Sequence, residues 1–344
     1  MTVVVLLAGT GCGENQKRAF GRQETEDISG AVYTVDTAMG TIFTQNVDMG
    51  AQSAQLEQEI LTAVKELEEQ ELSWRLENSE VYRLNEAGGG ELSNELEEIL
   101  VQCLELSEAT DGAFDVTVGV LGRLWDIDSR AAKGQEGGND TLPTGEDIAQ
   151  ALESVGYQKL SLTKHSLTLD NGIQLDLGSV GKGIALDRAG SILDTCKEGA
   201  GSAVISAGGS VLTYGSKRDG SAWHVAVVDP MEPAQFLGYL EVWGTCFIST
   251  SGDYERYVEV DGQRYCHILD PKTGYPVDGS IHSVTIMAGN GLLSDALSTA
   301  CLLLGTEKGL ELAGRYGAEA LFVERDGNIV MTEGMREVFR AADQ

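Results

Sequence analysis

Basic side chains are scarce in this chain: 24 Lys and Arg stand against 54 Asp and Glu, a formal net charge of −30 with a pI near 4.3. Recognition of a phosphate backbone needs clustered Lys and Arg, so the composition argues against nucleic-acid binding, and an anionic membrane surface is disfavoured for the same reason. The acidity serves mainly to keep the surface soluble. Cysteine is limited to six residues (Cys12, Cys103, Cys196, Cys246, Cys266 and Cys301) with no C-x-x-C pair and no zinc spacing, which argues against metal-thiolate chemistry. Cys246 lies in a strand-like stretch and Cys301 in an apolar run, positions typical of small core residues; disulfides are left open. Beyond the N-terminus no stretch has the apolar length of a membrane-spanning helix, and no internal repeat is present.

What is present is a chain of 344 residues with 42% hydrophobic content, enough to bury one large core or two domains. Residues 2–11 form a short apolar run that ends at Cys12, and residues 13–30 are polar and without periodicity. This pattern reads as a signal and lipoprotein tether (1–30) ahead of a folded region (31–344), with the mature protein outside the cytoplasm and held to the membrane by lipid on Cys12. The lipobox is poor, because no Lys or Arg precedes the run and Gly9 stands where a branched apolar residue is usual. A start codon assigned too far downstream would explain the missing charge; a ragged or misassigned N-terminus with an incidental cysteine is the alternative to the lipid anchor.

Strand-like alternation begins at residues 32–35 and 41–44, followed by a helix over 54–72 with Leu56, Ile60, Leu61, Val64 and Leu67 on one face. A second helix covers 95–110, capped by Ser93 or Asn94. The polar, Gly-rich segment 126–144 reads as a surface loop, and 145–155 as helix. Short strands at 160–162, 167–169 and 173–177 lead into a helix over 181–195. Strands then dominate 202–287, and a closing helix covers 308–316. Strands meandering between separated helices predict an α+β fold with largely antiparallel sheets.

Two segments carry the chemistry. In His267-Ile268-Leu269-Asp270-Pro271-Lys272-Thr273-Gly274-Tyr275-Pro276, Pro271 and Gly274 make a turn that leaves His267 at a strand end. The second segment opens a helix at Asn290 or Ser294, runs apolar to Leu304 and stops at Gly305, which stacks Asp295 and Thr299 on one face. Two hard oxygen donors at that spacing suit Mg²⁺ or Ca²⁺. Each element also has an ordinary structural reading: Asp295 favours a helix N-terminus, Thr299 bonds back to a carbonyl one turn earlier, and His267 is a strand residue. Residues 176–183 form a Gly-rich strand-to-helix turn suited to close approach of a phosphate, although the spacing is not that of a Walker A loop.

Further stations follow in order along the chain. They are Met39-Gly40-Thr41, Ser79-Glu80 with Arg83-Leu84-Asn85 closing the first helical region, and Asp111-Gly112-Ala113-Phe114-Asp115-Val116-Thr117-Val118-Gly119. Asp176-Leu177-Gly178-Ser179-Val180-Gly181-Lys182-Gly183, Ala207-Gly208-Gly209 and Asp229-Pro230 complete the set. Together with the two segments above, they make residue 30 to the C-terminus resemble the ApbE family of flavin transferases, which move FMN from FAD onto a hydroxyl of an acceptor protein.

The resemblance implies a two-subdomain fold around a flavin cleft. It also implies a Mg²⁺ ion held by Asp295, Thr299 and the Ser179 carbonyl, and FAD as substrate. Met39, Ala113, Phe114, Asp115, Asp176, Lys182 and Leu269 would face the flavin nucleotide, with Trp74 or Arg75 at a position where the family often has an aromatic. His267, with a reference pKa of about 6.5, would take the acceptor hydroxyl proton. Partners implied are FMN-binding-domain acceptor proteins of membrane redox complexes. Ser206 departs from the Asn usual in the family before Ala-Gly-Gly, leaving the hydrogen bonding of that loop open. The other histidines, His165, His224 and His282, match no functional position of the family. A Mg²⁺-dependent FAD pyrophosphatase and a non-catalytic flavin-binding lipoprotein are the competing readings.

Overall fold

The computed structural model describes residues 3–4, 23–26, 32–133, 142–196 and 201–342. Two short strands, β1 (Val3–Val4) and β2 (Gln23–Glu26), precede a hairpin of β3 (Val32–Ala38) and β4 (Thr41–Asp48) turning at Met39 and Gly40. The amphipathic helix α1 (Ser53–Glu66) buries Leu56, Ile60, Leu61 and Val64, then widens into one π-helical stretch, Leu67–Leu72. A mostly helical region follows: α2 (Glu80–Ala87), β5 (Gly89–Glu91), α3 (Asn94–Ala109), α4 (Gly119–Trp125), α5 (Ile127–Lys133) and α6 (Gly145–Leu152). Strands β6 (Leu160–Thr163) and β7 (Ser166–Leu169) join β5 in a three-stranded sheet.

After α7 (Gly181–Asp194) come β8 (Ser202–Ala207), β9 (Ser210–Gly215), β10 (Trp223–Val228), β11 (Phe236–Val242) and β12 (Cys246–Gly252). The hairpin β13 (Tyr257–Val260) and β14 (Gln263–Cys266) precedes β15 (Ile281–Ala288), α8 (Gly291–Leu304) and α9 (Thr306–Arg315). The chain ends in β16 (Glu319–Glu324), β17 (Ile329–Met331), α10 (Glu333–Val338) and β18 (Phe339–Ala341).

Nine strands, in the order β17-β16-β15-β12-β9-β8-β4-β3-β2, form one antiparallel sheet, and β1-β10-β11-β18 form a second, in which β1 joins in parallel. Period-two alternation explains why the large sheet is buried on both sides. Ala203, Ile205, Phe247, Ala320 and Phe322 face a core shared with α1, α7, α8 and α9. Their neighbours Val204, Ile248, Leu321 and Val323 face a core shared with Trp223, Val225, Val227 and Leu240 of the second sheet. Each Val, Leu, Ile or Phe among them contributes about 1.5–3 kcal/mol by burial. The expected α+β class with largely antiparallel sheets is therefore what the chain forms.

Several local expectations are corrected. Residues 126–144 are not one loop: their glycines all follow residue 133, while Ile127 is buried and Arg130 anchors on the Trp125 carbonyl, which makes α5. Residues 173–177 alternate in burial but form no strand. The Asn85 side chain satisfies both the N–H and the C=O of Leu175, at 2.7 and 2.9 Å, where a partner strand would have done so. The stretch from Ser79 to Asn85, expected to close the first helical region, does so as a separate helix, α2, after a break at residues 73–78. The helix expected over 308–316 begins at Thr306 and does not close the fold, since three more elements follow α9 and β16. Part of the expected tether is structured, with residues 23–26 paired to β3, and Cys12 lies outside the described residues.

Helices α7 and α8 touch backbone to backbone. A Cβ on Gly183 would lie 2.0 Å from the Gly291 carbonyl oxygen, and one on Gly291 would lie 2.1 Å from that of Gly183. One turn along α7, Asp187 accepts from the N–H groups of Gly291 and Leu292 at 2.6 and 2.8 Å, so the same face of α7 holds the start of α8. Gly183→Ala or Gly291→Ala should cost at least the roughly 1–3 kcal/mol of overpacking, because backbone and not a side chain must give way. Gly289→Ala, whose Cβ meets nothing within 4 Å, should change the urea midpoint little. Equal midpoints for all three variants would refute the close contact as a stabilising constraint.

Candidate active site

The α7–α8 crossing sets Asp295 in the interior, at 1% exposure. Asn290, whose side-chain oxygen accepts from the Leu293 N–H at 2.8 Å, caps α8. Asp295 therefore does not serve its own helix terminus and instead reaches across to α7. There its carboxylate accepts from the Gly183 N–H (3.0 Å), pairs with Lys182 Nζ (3.1 Å) and meets the Ser210 hydroxyl (3.3 Å). Thr299, one turn further, places its hydroxyl 3.2 Å from that of Ser251, and Ser179 lies in the turn that opens α7. Among the described residues no three His, Cys, Asp or Glu side chains converge as a metal cage, so the donors here are one carboxylate and neutral oxygens.

The segment joining β12 to β13 adds two groups absent from the sequence-based expectation. Glu255 points toward the β8–β9 turn, where a Cβ on Gly209 would come 3.0 Å from its Oε1. Burial pushes its carboxyl up to about 7, against the pull of Lys182 and Arg256 and with the added repulsion of Asp295. Ser206, the residue departing from the family pattern, donates to the Gly208 carbonyl at 3.3 Å and closes that turn. Arg256 pairs with Asp128 of α5 at 3.1 Å.

His267 directly follows β14. Its backbone N–H donates to the Arg256 carbonyl at 3.0 Å, and its ring Nδ1 lies 3.3 Å from the same oxygen. Burial, then the Arg256 and Lys182 charges, hold the imidazole well below its ordinary value, with Asp128 acting in the opposite sense. The ring is thus neutral at physiological pH and has a lone pair to accept a proton.

The remaining expected residues fall into two groups. Met39, in the left-handed region at φ 54, donates its N–H to Glu68 of the π-helical stretch at 2.5 Å and brings its methyl against Gly181. Trp74 hydrogen-bonds Asp176, and its ring lies under the guanidinium groups of Arg75 (4.0 Å) and Arg123 (5.3 Å). Asp176, pushed up by burial, accepts from the Gly178 N–H at 2.8 Å. Arg75 pairs with Asp128 at 2.9 Å, so Trp74 and Arg75 both belong to the cluster. Ala113, Phe114 and Asp115 are buried, and the Asp115 oxygens are occupied by Thr117 and the Tyr157 N–H. That segment adjoins the site through backbone, the Asp176 N–H donating to Val116 at 2.8 Å. Leu269 packs with Trp125 and Leu121, and Trp125 anchors the His267 segment by donating to the Gly274 carbonyl at 2.8 Å.

Glu255, Arg256, Asp128 and Glu68 escaped sequence reasoning. The available signal was Asp253, Glu255 and Arg256 following Gly252 directly after an otherwise uncharged strand. His165, His224 and His282 lie beside Glu97, Glu241 and Asp253, at 2.8, 3.7 and 3.1 Å. Cys103, Cys196, Cys246, Cys266 and Cys301 are free thiols.

Glu255 yields a pH test. Its folded value of about 7 exceeds the ordinary 4.5, so its favourable contribution is fully present below 4.5 and is lost as pH rises through 7. Glu255→Gln should therefore raise the melting temperature of chelator-treated protein at pH 8, with the gain shrinking toward pH 4.5. A gain that grows on acidification would contradict the assignment.

Residues 39–322 match the family model described as the ApbE family. An FAD:protein FMN transferase of Vibrio cholerae is 31% identical, covering 76% of this chain and 77% of its own length. That of Treponema pallidum is 30% identical, covering 99% and 95%. The crystal structure of the ApbE protein from Thermotoga maritima superposes with a TM-score of 0.81 at 31% identity, over 92% of this chain and all of that one. With a family match over most of its length and relatives about 30% identical across three quarters or more of it, the chain belongs to the ApbE family.

Proposed function

We infer that this chain is an enzyme that transfers FMN from FAD to a protein acceptor, the activity named for its relatives in Vibrio cholerae and Treponema pallidum. The observation that carries the reading is local charge. In a chain with a net charge of −30, Arg75, Arg123, Lys182 and Arg256 gather around Trp74, Asp128, Asp176 and Asp295. A flat aromatic among guanidinium groups, beside a buried lysine–carboxylate pair, suits a nucleotide with a pyrophosphate.

The acceptor atom is a Thr or Ser hydroxyl. Its oxygen bonds to the flavin-side phosphorus while its proton passes to the neutral ring of His267. The bond from that phosphorus to the bridging oxygen breaks, AMP leaves with the electron pair, and the imidazolium returns its proton to solvent. Met39, Trp74 or Arg75, Asp176, Lys182 and Leu269 contact the flavin nucleotide, together with the backbone around Ala113, Phe114 and Asp115.

The donor set fits Mg²⁺, an ion that takes one or two carboxylates and completes its shell with substrate phosphate oxygens. Asp295, Thr299 and the Ser179 carbonyl are the residues that would hold it. Asp295 already attracts Lys182, which reflects its demand for a cation. When bound, the ion supplies neutralisation of pyrophosphate charge.

Incubation with FAD, Mg²⁺ and an FMN-binding-domain acceptor, followed by intact mass of the acceptor and analysis of AMP, tests the reading. Transfer adds FMN to the acceptor with equimolar AMP; free FMN in its place would make the protein a pyrophosphatase. Asp295→Ala should abolish most turnover with the fold retained, and His267→Gln should slow it by roughly 10²–10⁴ while sparing FAD binding. Full activity in excess chelator would remove the metal from the reading.

The acceptors are domains of membrane redox complexes, and lipid on Cys12 would bring the enzyme to them, raising effective concentration. Among the described residues no helix is long and apolar enough to cross a membrane. Cell fractionation with mass analysis of the N-terminus should find a membrane-associated form starting at lipidated Cys12; an unlipidated protein retaining Met1 would exclude the anchor.

A further inference from the structure

Asp128 makes no contact with Asp295 or Lys182 that would place it among the ligands, yet it stands at the centre of a bridge between two parts of the fold. From α5 it accepts from Arg75 Nη2 at 2.9 Å on one oxygen and from Arg256 Nη1 at 3.1 Å on the other. Burial alone would raise its carboxyl, but the charges of Arg256 and Arg75 outweigh that and keep it ionised. Arg256 is the residue whose carbonyl oxygen receives both the backbone N–H and the ring Nδ1 of His267. A carbonyl only accepts, so the ring nitrogen facing it must carry the hydrogen.

We propose that Asp128 is a positioning residue: by clamping Arg256 against Arg75 it holds the Arg256 carbonyl on His267 Nδ1–H, fixing the tautomer in which Nε2 is the free base. The proposal rests on the reading of His267 as the proton acceptor. In the transfer step Nε2 gains the hydroxyl proton, Nδ1 keeps its own, and the resulting imidazolium is stabilised by the Asp128 charge. That charge is the one acidic influence opposing burial, Arg256 and Lys182 at this ring. Without it the ring loses both its orientation and part of its affinity for the proton.

The test uses full-length protein labelled with ¹⁵N at histidine, the His267 signals being assigned by their loss in His267→Gln. At neutral pH the wild-type ring should show a protonated Nδ1 and an unprotonated Nε2. In Asp128→Asn these two shifts should move toward each other as the second tautomer becomes populated. In the same variant kcat for transfer should fall at least about tenfold, at the lower edge of what a positioned base contributes, with the melting temperature little changed. Should Asp128→Asn not fold, Arg256→Lys, which keeps a cation beside Asp128 but loses the fixed guanidinium geometry, carries the same readout.

Unchanged ring shifts in the variant overturn the proposal whatever happens to the rate, since a fall in kcat with the tautomer intact would mark Asp128 as merely structural. An unchanged kcat with shifted tautomer overturns its functional half. Failure of the underlying reading is separately visible: His267→Gln would then turn over as fast as wild type, while the ring shifts would still report whether Asp128 sets the tautomer.

Discussion

Everything at the site depends on the approach of two helix backbones. Gly183 and Gly291 let α7 and α8 come within distances that any Cβ would forbid, and that contact aims Asp295 of one helix at the first turn of the other. The arrangement needs both a missing side chain and a present one, because Asp187 draws the α8 amides toward α7 at the same crossing. A wider crossing would leave the Gly183 N–H and the Asp295 carboxylate buried without each other. An isolated buried charge is costly by several kcal/mol, so the geometry of the crossing and the electrostatics of the site are one constraint.

The second theme is how a strongly acidic chain assembles a place for an anion. It does so by pairing: Asp295 with Lys182, Asp128 with Arg75 and Arg256, Trp74 with Arg75 and Arg123. Asp128 and Trp74 each hold together two cations that would otherwise repel, while Asp295 holds one. The guanidinium groups keep donors to spare in their planar forks. The carboxylates thus organise positive charge and do not merely cancel it.

Legibility followed the range of the interactions. The start and stop of α8 at Asn290 and Gly305, and the strand end at His267, were readable because caps, periods of 3.6 and turn chemistry are local. Residues 173–177 were misread as a strand because their alternation in burial is real, while the partner satisfying Leu175 is a side chain 90 residues away. Helix α5 was hidden by averaging a helical segment with the glycines that follow it. Glu255, Arg256 and Asp128 carried no motif of their own, since each matters only through a neighbour from another element. The partners of Asp295 and Thr299 were hidden for a similar reason: Asn290 caps the helix and leaves Asp295 to α7, and the Thr299 hydroxyl meets Ser251 of β12.

The elements that carry the site also explain where the fold tolerates irregular backbone. The π-helical stretch, Leu67–Leu72, presents Glu68 to the Met39 N–H, and Met39 itself adopts a left-handed conformation that a non-glycine residue takes up only when its surroundings hold it there. Burial raises the Glu68 carboxyl and the amides of Met39 and Gly40 lower it again, so the turn supplies donors that a buried acid requires while the acid fixes the turn. The Met39 methyl then closes over Gly181 at the start of α7. Two local departures from regular structure, each unfavourable alone, thus stabilise one another at the point where the β3–β4 hairpin meets the helix that carries Lys182 and Gly183.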